Sequence, residues 1–298
     1  MIRFFTGIFT FILVLVNALF VIFVVTPLGL LRFIPIKPFQ IFILRINEKF
    51  GELYLFFNSR LQDLMHKSKF EVHGQEKLKK DMWQFTTINH LSWADIFVYL
   101  YFCNYRQSCP RIFMKSQLWW LPITWTANLG LAMPFVVRRS KEAIKANPKL
   151  AETDKNATRR ACKMYQIMPT NVGGFIEGTR IDKQKYLASK SKFKNLMPPK
   201  IGGMGYTLEV MPYIDHLTDV TIVYKSDKRS FWNFLCGDLN EASVTINTYE
   251  IPKELRGVDY ADNDEMRDKL KSFLESVWEV KDEIIENEKK KFGIESVF

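Results

Sequence analysis

The chain begins with a long apolar stretch. No charged residue lies between Arg3 and Arg32, and Asn17 is the only strongly polar side chain within residues 8–25. A helix needs roughly 20 apolar residues to cross the hydrocarbon core of a bilayer. The stretch is long enough to cross once and too short to cross twice. Residues 1–34 are therefore predicted to form a transmembrane or membrane-embedded anchor.

The surroundings of this stretch favour an anchor over a cleaved signal peptide. A signal peptide has a shorter apolar core and a cleavage site between small residues. This stretch is longer and ends in Thr-Pro-Leu-Gly-Leu-Leu at residues 26–31. Only Arg3 precedes it, whereas the basic residues that follow are Arg32, Lys37, Arg45 and Lys49. By the positive-inside rule we expect the rest of the chain to face the cytoplasm.

A second apolar pattern follows, with charged residues between its members. Residues 35–69 are predicted to form an amphipathic helical connector, because the spacing within them approximates one helix face. That face could lie on a lipid surface or pack against a protein core, and the pattern is equally consistent with both. The apolar positions are Ile41, Leu44, Ile46, Phe50, Leu53 and Phe57.

Short apolar segments and helical patterns alternate in residues 70–298. This alternation predicts an α/β fold, with a mixed central sheet flanked by helices. One predicted strand ends at Ile88, and the others cover residues 111–114, 172–176, 220–224 and 243–251. In the last of these, the side-chain pattern alternates with period two. The predicted helices cover residues 154–168 and 263–291, and the second of these is expected to pack on the core through an i, i+3, i+4 stripe.

Composition and charge narrow the classes of partner. The chain has 298 residues, is 47% hydrophobic and carries a formal charge of +10. Such an apolar chain is not a disordered polymer. A basic protein suits a phospholipid surface, a phosphorylated substrate or nucleic acid. No basic run resembles a nucleic-acid arm, so the apolar stretch favours the membrane, although the charge by itself could simply maintain solubility.

The cysteines and most of the histidines lack the spacing of a metal site. We predict free thiols in a reducing compartment, with neither a disulfide framework nor a bound metal. The residues concerned are Cys103, Cys109, Cys162, Cys236, His66, His73 and His216.

The first candidate for chemistry is His90, five residues before Asp95. On one helix these side chains would point about 140° apart. They can meet if His90 lies in a strand-to-helix turn and Asp95 in the first helical turn. The carboxylate would then accept from one ring nitrogen while the other faces a substrate. Most such pairs arise by chance and a single histidine is usually structural, so the pair alone does not establish catalysis.

The second candidate is the segment Gly173–Arg180, in which an apolar strand leads into a turn. Gly178 supplies backbone freedom there, and Arg180 offers a forked donor suited to phosphate. The alternative interpretation is an ordinary turn with a surface ion pair between Glu177 and Arg180.

The order of these segments resembles a known family. The pattern NHxSWxD at residues 89–95, followed by FIEGTR at 175–180, resembles the glycerolipid acyltransferase superfamily. Within it, the chain is similar to the lysophosphatidic-acid and lysocardiolipin acyltransferase branch, which includes bacterial inner-membrane members. The resemblance covers most of residues 70–285. It extends to KSQLWWLP at 115–122, Gly130, the block 134–140, PPK at 198–200, DVTIVY at 219–224, and the helix with Trp278 and Lys281-Asp282.

The resemblance implies an O-acyltransferase that moves a fatty acyl group from acyl-CoA or acyl carrier protein to a lysophospholipid hydroxyl. The expected acceptor is 1-acyl-glycerol-3-phosphate, giving phosphatidic acid. Transfer would be direct, with His90 as general base and Asp95 holding its tautomer. The alternatives are another lysophospholipid acceptor, or a membrane thioesterase or lipid hydrolase that uses the same pair. The sequence contains no G-x-S-x-G elbow, which argues against a serine esterase.

The resemblance also implies a set of binding residues and partners. Asn89 would fix the loop, Glu177 would order the turn or contact the acceptor, and cationic side chains would hold the acceptor phosphate. Val137 replaces the family's usual acidic residue, which leaves open whether Arg138 or Arg139 contacts phosphate. The expected partners are the phospholipid membrane, the acceptor and the acyl donor, at the cell inner membrane, without nucleic acid, metal or further cofactor. The expected substrate-binding residues are Asn89, Ser92, Lys115, Arg138, Arg139, Glu177, Gly178, Thr179 and Arg180.

Overall fold

The computed structural model describes most of the chain. The described residues are 1–104, 106–112, 114–115, 120, 122–131, 133, 135–136, 156, 162–166, 168–260 and 263–297. The predicted helix at 154–168 lies largely outside them, although residues 163–166 form a 3-10 turn.

Nine α-helices and eight strands occur within these residues. The helices are α1 (Ile2–Phe20), α2 (Thr26–Leu31), α3 (Lys37–His66), α4 (Asp95–Cys103), α5 (Pro122–Leu129), α6 (Lys183–Ser189), α7 (Ile201–Val210), α8 (Phe231–Leu235) and α9 (Asp264–Phe292). The strands are β1 (Lys69–His73), β2 (Gln84–Ile88), β3 (Arg111–Ile112), β4 (Met114–Lys115), β5 (Phe135–Val136), β6 (Asn171–Gly174), β7 (His216–Tyr224) and β8 (Glu241–Glu250).

Six strands form the central sheet, in the order β1-β8-β7-β2-β6-β3. Strands β7, β2, β6 and β3 run parallel to one another, whereas β8 is antiparallel to β7 and carries β1 parallel to itself. The predicted mixed sheet flanked by helices is confirmed. The carboxyl ends of β2 and β6 therefore meet at one edge of the sheet, which is where both candidate segments begin.

The strands coincide with the apolar segments, with shifted ends. Strand β7 begins four residues earlier than predicted and is buried over eight of its nine residues. Strand β6 ends at Gly174, two residues earlier than predicted, because the following chain turns towards the loop after β2, where the Ile181 N–H donates to the His90 carbonyl. Strand β1, which the sequence analysis missed, alternates half-buried and exposed residues at the sheet edge.

Helix α9 packs against the sheet as predicted from its stripe. The Asn263 side chain caps its N-terminus by accepting from the Met266 N–H, and Gly293 ends it. Leu270, Leu274 and Trp278 are completely buried. A 29-residue helix with both ends capped thus covers one face of the sheet.

The buried face of α3 differs from its apolar stripe. Its inward side is rich in polar groups: the Glu48 carboxylate accepts from the Cys109 N–H at 2.8 Å and forms an ion pair with Arg111, and the Gln62 amide donates to the Phe97 carbonyl at 2.9 Å. Two residues of the apolar stripe, Phe50 and Phe57, instead lie beside α1, with ring centroids 6.1 Å and 6.3 Å from that of Phe20. Helix α3 therefore packs on the sheet domain and on the N-terminal helix at once.

Helices α1 and α2 are joined by a π-helical turn at Val21–Val25. Among the described residues, the continuous segment Ile2–Leu31 is the one helix long and apolar enough to cross a membrane by length and composition alone. We call Ile2–Leu31 the apolar segment.

Candidate active site

The loop between β2 and α4, residues 89–94, carries the first candidate pair. The His90 Nδ1 atom lies 2.9 Å from Asp95 Oδ2. Asp95 is the first residue of α4 and its side chain is fully buried, whereas the His90 side chain keeps 16% exposure. The strand-to-helix turn thus brings together two side chains that one helix would separate.

The Asp95 carboxylate is held by four donors. Besides His90, its Oδ2 atom accepts from the backbone N–H groups of Leu91 at 2.7 Å and Ser92 at 2.8 Å. The Tyr224 hydroxyl donates to Oδ1 at 2.9 Å. These donors stabilise the negative charge and fix the carboxylate plane. An ionised Asp95 favours the tautomer in which Nδ1 of His90 carries the proton, which leaves the Nε2 lone pair free.

The His90 ring is held on one face by Phe175. Their ring centroids are 4.0 Å apart and the planes differ by 19°. Because Phe175 covers one face and Asp95 occupies Nδ1, the imidazole has little rotational freedom. The ring is therefore held in one orientation, and a histidine held in this way can transfer a proton through Nε2.

Glu177 links the second candidate segment to the first. Its Oε1 accepts from the His90 N–H at 3.0 Å, and its Oε2 accepts from the Met197 N–H at 3.1 Å. The side chain is buried, and burial raises the pKa of Glu177 to about 7, against the effect of the two backbone donors. The alternative of a Glu177–Arg180 ion pair is wrong within the described residues, since both carboxylate oxygens face the backbone.

The turn after Glu177 returns the chain to His90. Gly178 has φ = 81° and its N–H donates to the Phe175 carbonyl at 3.0 Å, a conformation that favours glycine. The Ile181 N–H then donates to the His90 carbonyl at 2.9 Å. Both backbone polar groups of His90 are thereby bonded to the segment 177–181.

Asn89 and Ser92 are fully buried on either side of His90. The Asn89 side-chain amide donates to the Ile222 carbonyl at 2.9 Å and accepts from the Ile222 N–H at 2.8 Å. The Ser92 hydroxyl donates to the Arg229 carbonyl at 2.7 Å. Both side chains thus tie the loop to β7 and to the segment that follows it.

The remaining predicted binding residues are not all within the described part of the structure. Thr179 and Arg180 are half-buried, and the Arg180 Cζ atom lies 4.6 Å from the centroid of the Trp93 ring. Lys115 belongs to β4, which pairs with β5, but its side chain is outside the described part of the structure. Arg138 and Arg139 also lie outside the described residues.

The structure adds residues that the sequence analysis did not assign to the site. Phe175 and Tyr224 were quoted only as members of longer motifs, yet both contact the His90–Asp95 pair. Lys281 was named with the C-terminal helix of the resemblance, but its Nζ lies 3.0 Å from Asp219 Oδ1 and both side chains are buried. The one feature of the sequence that could have indicated this buried ion pair is a lysine on an otherwise apolar helix face.

The described residues hold no group of three or more His, Cys, Asp or Glu that could bind a metal ion. The four cysteines are buried and have free thiols.

Comparisons with known proteins bear on the family and on the fold. The sequence model of the Acyltransferase family matches residues 69–225. No curated protein matches the chain. A crystal structure of the 1-acyl-sn-glycerophosphate (LPA) acyltransferase PlsC from Thermotoga maritima is similar, with a TM-score of 0.51 and 16% sequence identity. The similarity covers 97% of this chain and 98% of that chain, and at this identity it concerns the fold.

Proposed function

Since the chain belongs to the Acyltransferase family, we propose that it acylates the free hydroxyl of a lysophospholipid. Membership of this family confirms the predicted superfamily and the prediction of an acyl-transferring enzyme. The proposed acceptor is 1-acyl-glycerol-3-phosphate, and the proposed donor is a fatty acyl thioester of CoA or acyl carrier protein. The observation that carries the proposal is the contact of the partly exposed His90 with the buried Asp95, together with the half-buried Arg180, whose neighbour Ile181 is hydrogen-bonded to His90.

In the proposed mechanism His90 is the general base. Its Nε2 atom takes the proton of the acceptor hydroxyl while the hydroxyl oxygen attacks the thioester carbonyl carbon. A C–O bond forms, the C–S bond breaks, and the leaving thiolate receives the proton from the imidazolium. Asp95 stabilises the imidazolium formed in between, with its own charge balanced by four donors.

The other predicted residues take different roles in this proposal. Arg180 would bind the acceptor phosphate, with Lys115 and Arg138 or Arg139 as further candidates. The buried residues Asn89, Ser92 and Glu177 would shape the loop around His90, because their polar atoms are already bonded within the protein. Gly178 and Thr179 would form the turn that presents Arg180.

The test is the release of free thiol from acyl-CoA by the purified full-length protein in detergent. We expect release that depends on added 1-acyl-glycerol-3-phosphate and equals the phosphatidic acid formed. Thiol and fatty acid released at the same rate without an acceptor would indicate a hydrolase instead. Acyl carrier protein as donor, assayed in parallel, identifies the preferred thioester.

For the location of the enzyme, we propose that the apolar segment lies in one leaflet on the cytoplasmic side of the membrane. The catalytic domain contacts this segment near both ends. The Arg3 guanidinium donates to Asp238 Oδ1 at 3.0 Å and to Asn233 Oδ1 at 2.9 Å. Gly29 packs so closely on Leu129 that a Cβ there would collide with the Leu129 carbonyl oxygen.

These two contacts restrict how the segment can meet a bilayer. Arg3 and Gly29 are separated by about 39 Å along a helix, which exceeds the roughly 30 Å of hydrocarbon in a bilayer. A crossing helix would put them on opposite sides of the membrane. One domain holds both, so a crossing would require polar groups such as Asp238 to enter the lipid.

The side of the segment away from the domain is apolar and exposed. Val25 on the inner side is fully buried, whereas Phe23 on the outer side is 74% exposed. The exposed residues recur at intervals of three or four, as on one helix face, and such a face is buried favourably among acyl chains. They include Phe5, Phe9, Ile12, Val16, Leu19 and Phe23.

Cysteine labelling distinguishes the two arrangements. Ile2→Cys and Ile36→Cys place one new thiol at each end of the segment, where the residues are 84% and 57% exposed. In sealed inside-out membrane vesicles, we expect an impermeant maleimide to label both variants. Wild-type protein, whose four cysteines are buried, serves as the control. Labelling of one variant from the outside and of the other only after permeabilisation would indicate a spanning helix.

A further inference from the structure

The catalytic loop carries a large side chain that core packing does not explain. Trp93 lies three residues after His90 and is 55% exposed. A tryptophan that served only the core would be mostly covered by other side chains. The indole instead faces a cation, since Arg180 Cζ lies 4.6 Å from its ring centroid. This distance is within the range of a cation–π interaction.

The residue after Arg180 is hydrogen-bonded to His90. The N–H of the next residue, Ile181, donates to the His90 carbonyl at 2.9 Å. The carboxylates nearest to Arg180 in the chain are engaged elsewhere: Glu177 accepts from backbone groups, and Asp182 pairs with Lys185. In the part of the chain that the structure describes, Trp93 is thus the side chain in contact with the guanidinium.

We propose that Trp93 is a positioning residue for the acceptor phosphate. Stacking on an indole covers one face of a guanidinium and leaves the N–H groups along its edge available for bidentate binding of phosphate. The loop that carries Trp93 also carries His90, so the bound phosphate is held at a defined distance from the general base. This inference rests on the proposed function, in which Arg180 binds the phosphate of the acceptor.

Steady-state kinetics of the full-length enzyme test the inference. We expect Trp93→Leu to raise KM for 1-acyl-glycerol-3-phosphate by about three- to tenfold, the factor given by losing a partly exposed cation–π contact. The KM for acyl-CoA should stay unchanged. Trp93→Phe keeps an aromatic face and should recover most of the loss. With monoacylglycerol, an acceptor without phosphate, Trp93→Leu should change KM little.

The combination with Arg180→Ala shows whether Trp93 acts through the arginine. In an Arg180→Ala protein we expect Trp93→Leu to add no further increase in KM. Trp125→Leu removes another tryptophan of similar exposure, 49%, and is the matched control. Additive effects of Trp93→Leu and Arg180→Ala, or an equal effect on the acceptor without phosphate, would overturn the inference while leaving the proposed function intact.

A binding measurement separates this inference from the acyl transfer itself. Glycerol 3-phosphate should change the indole fluorescence of the wild-type protein, and the change should be absent in Trp93→Phe and in Arg180→Ala. If this response occurs but no acceptor is acylated, the proposed function fails and the role of Trp93 stands. If glycerol 3-phosphate produces no response in the wild-type protein, the role of Trp93 is wrong.

Discussion

Replacing His90 with Gln is expected to lower kcat for acyl transfer by about 10²–10⁴-fold, the usual contribution of a general base. Glutamine keeps much of the size of the ring but cannot take a proton from the acceptor hydroxyl. Asp95→Asn should cause a loss of similar order, because an amide no longer stabilises the imidazolium or enforces the tautomer that leaves Nε2 free. The measurement is acceptor-dependent thiol release under saturating donor.

The chain offers a matched control for this experiment. His216 Nδ1 also lies close to a carboxylate, 2.6 Å from Asp215 Oδ1. In the parallel pairing of β7 with β2, His216 is opposite Gln84, at the amino-terminal end of β2, whereas His90 follows its carboxyl-terminal end. We expect His216→Gln to leave kcat unchanged. A His90→Gln enzyme that retained more than about a tenth of the wild-type rate would contradict the general-base role.

Replacing Lys281 with Met is expected to destabilise the fold by about 3–5 kcal/mol, the usual cost of removing one partner of a buried ion pair. The Lys281 ammonium lies 3.0 Å from Asp219 Oδ1 and donates to the Val220 carbonyl at 2.9 Å. Methionine would fill a similar volume but leave the buried Asp219 carboxylate without its cation. Denaturant unfolding in detergent, followed by tryptophan fluorescence, measures the change.

Two comparisons make this prediction specific. Lys192 forms ion pairs with Glu275 and Glu279 on the surface, so Lys192→Met should change the unfolding midpoint little. Adding Asp219→Asn to Lys281→Met removes the orphaned charge and should restore part of the lost stability. If Lys281→Met unfolds at the same denaturant concentration as Lys192→Met, the buried pair does not contribute as argued.

The fold was predictable where local pattern and final environment agree. Strand β2 and helix α9 are predictable from an apolar run and from helical spacing, because β2 is buried along its whole length and α9 buries one continuous face. Helix α3 was predicted as a helix but its packing was not. Its inward face is held by hydrogen bonds of Glu48, Asn58 and Gln62, and a hydrophobic pattern gives such a face no signal.

The candidate site was predictable in its centre and not in its surroundings. His90 and Asp95 are five residues apart, so a single turn brings them together. Tyr224 is 129 residues from Asp95, and its hydroxyl reaches the carboxylate only because β7 lies beside β2. The contact of Phe175 with the imidazole likewise depends on the pairing of β6 with β2. Such neighbours follow from strand order, which periodicity does not encode.

The short helix α8 connects the apolar segment to the loop that carries His90. Its Trp232 ring contacts Phe4 of α1 at 5.9 Å, and the Arg229 carbonyl just before it accepts from the catalytic-loop Ser92. Moving a single-chain lipid from the membrane into water costs a free energy of about 0.8 kcal/mol for each methylene group. With the apolar segment in one leaflet, as proposed, the acceptor would not have to leave the membrane, and encounters between enzyme and acceptor would be two-dimensional. The quantity that governs its turnover is then the mole fraction of acceptor in the leaflet, not the bulk concentration.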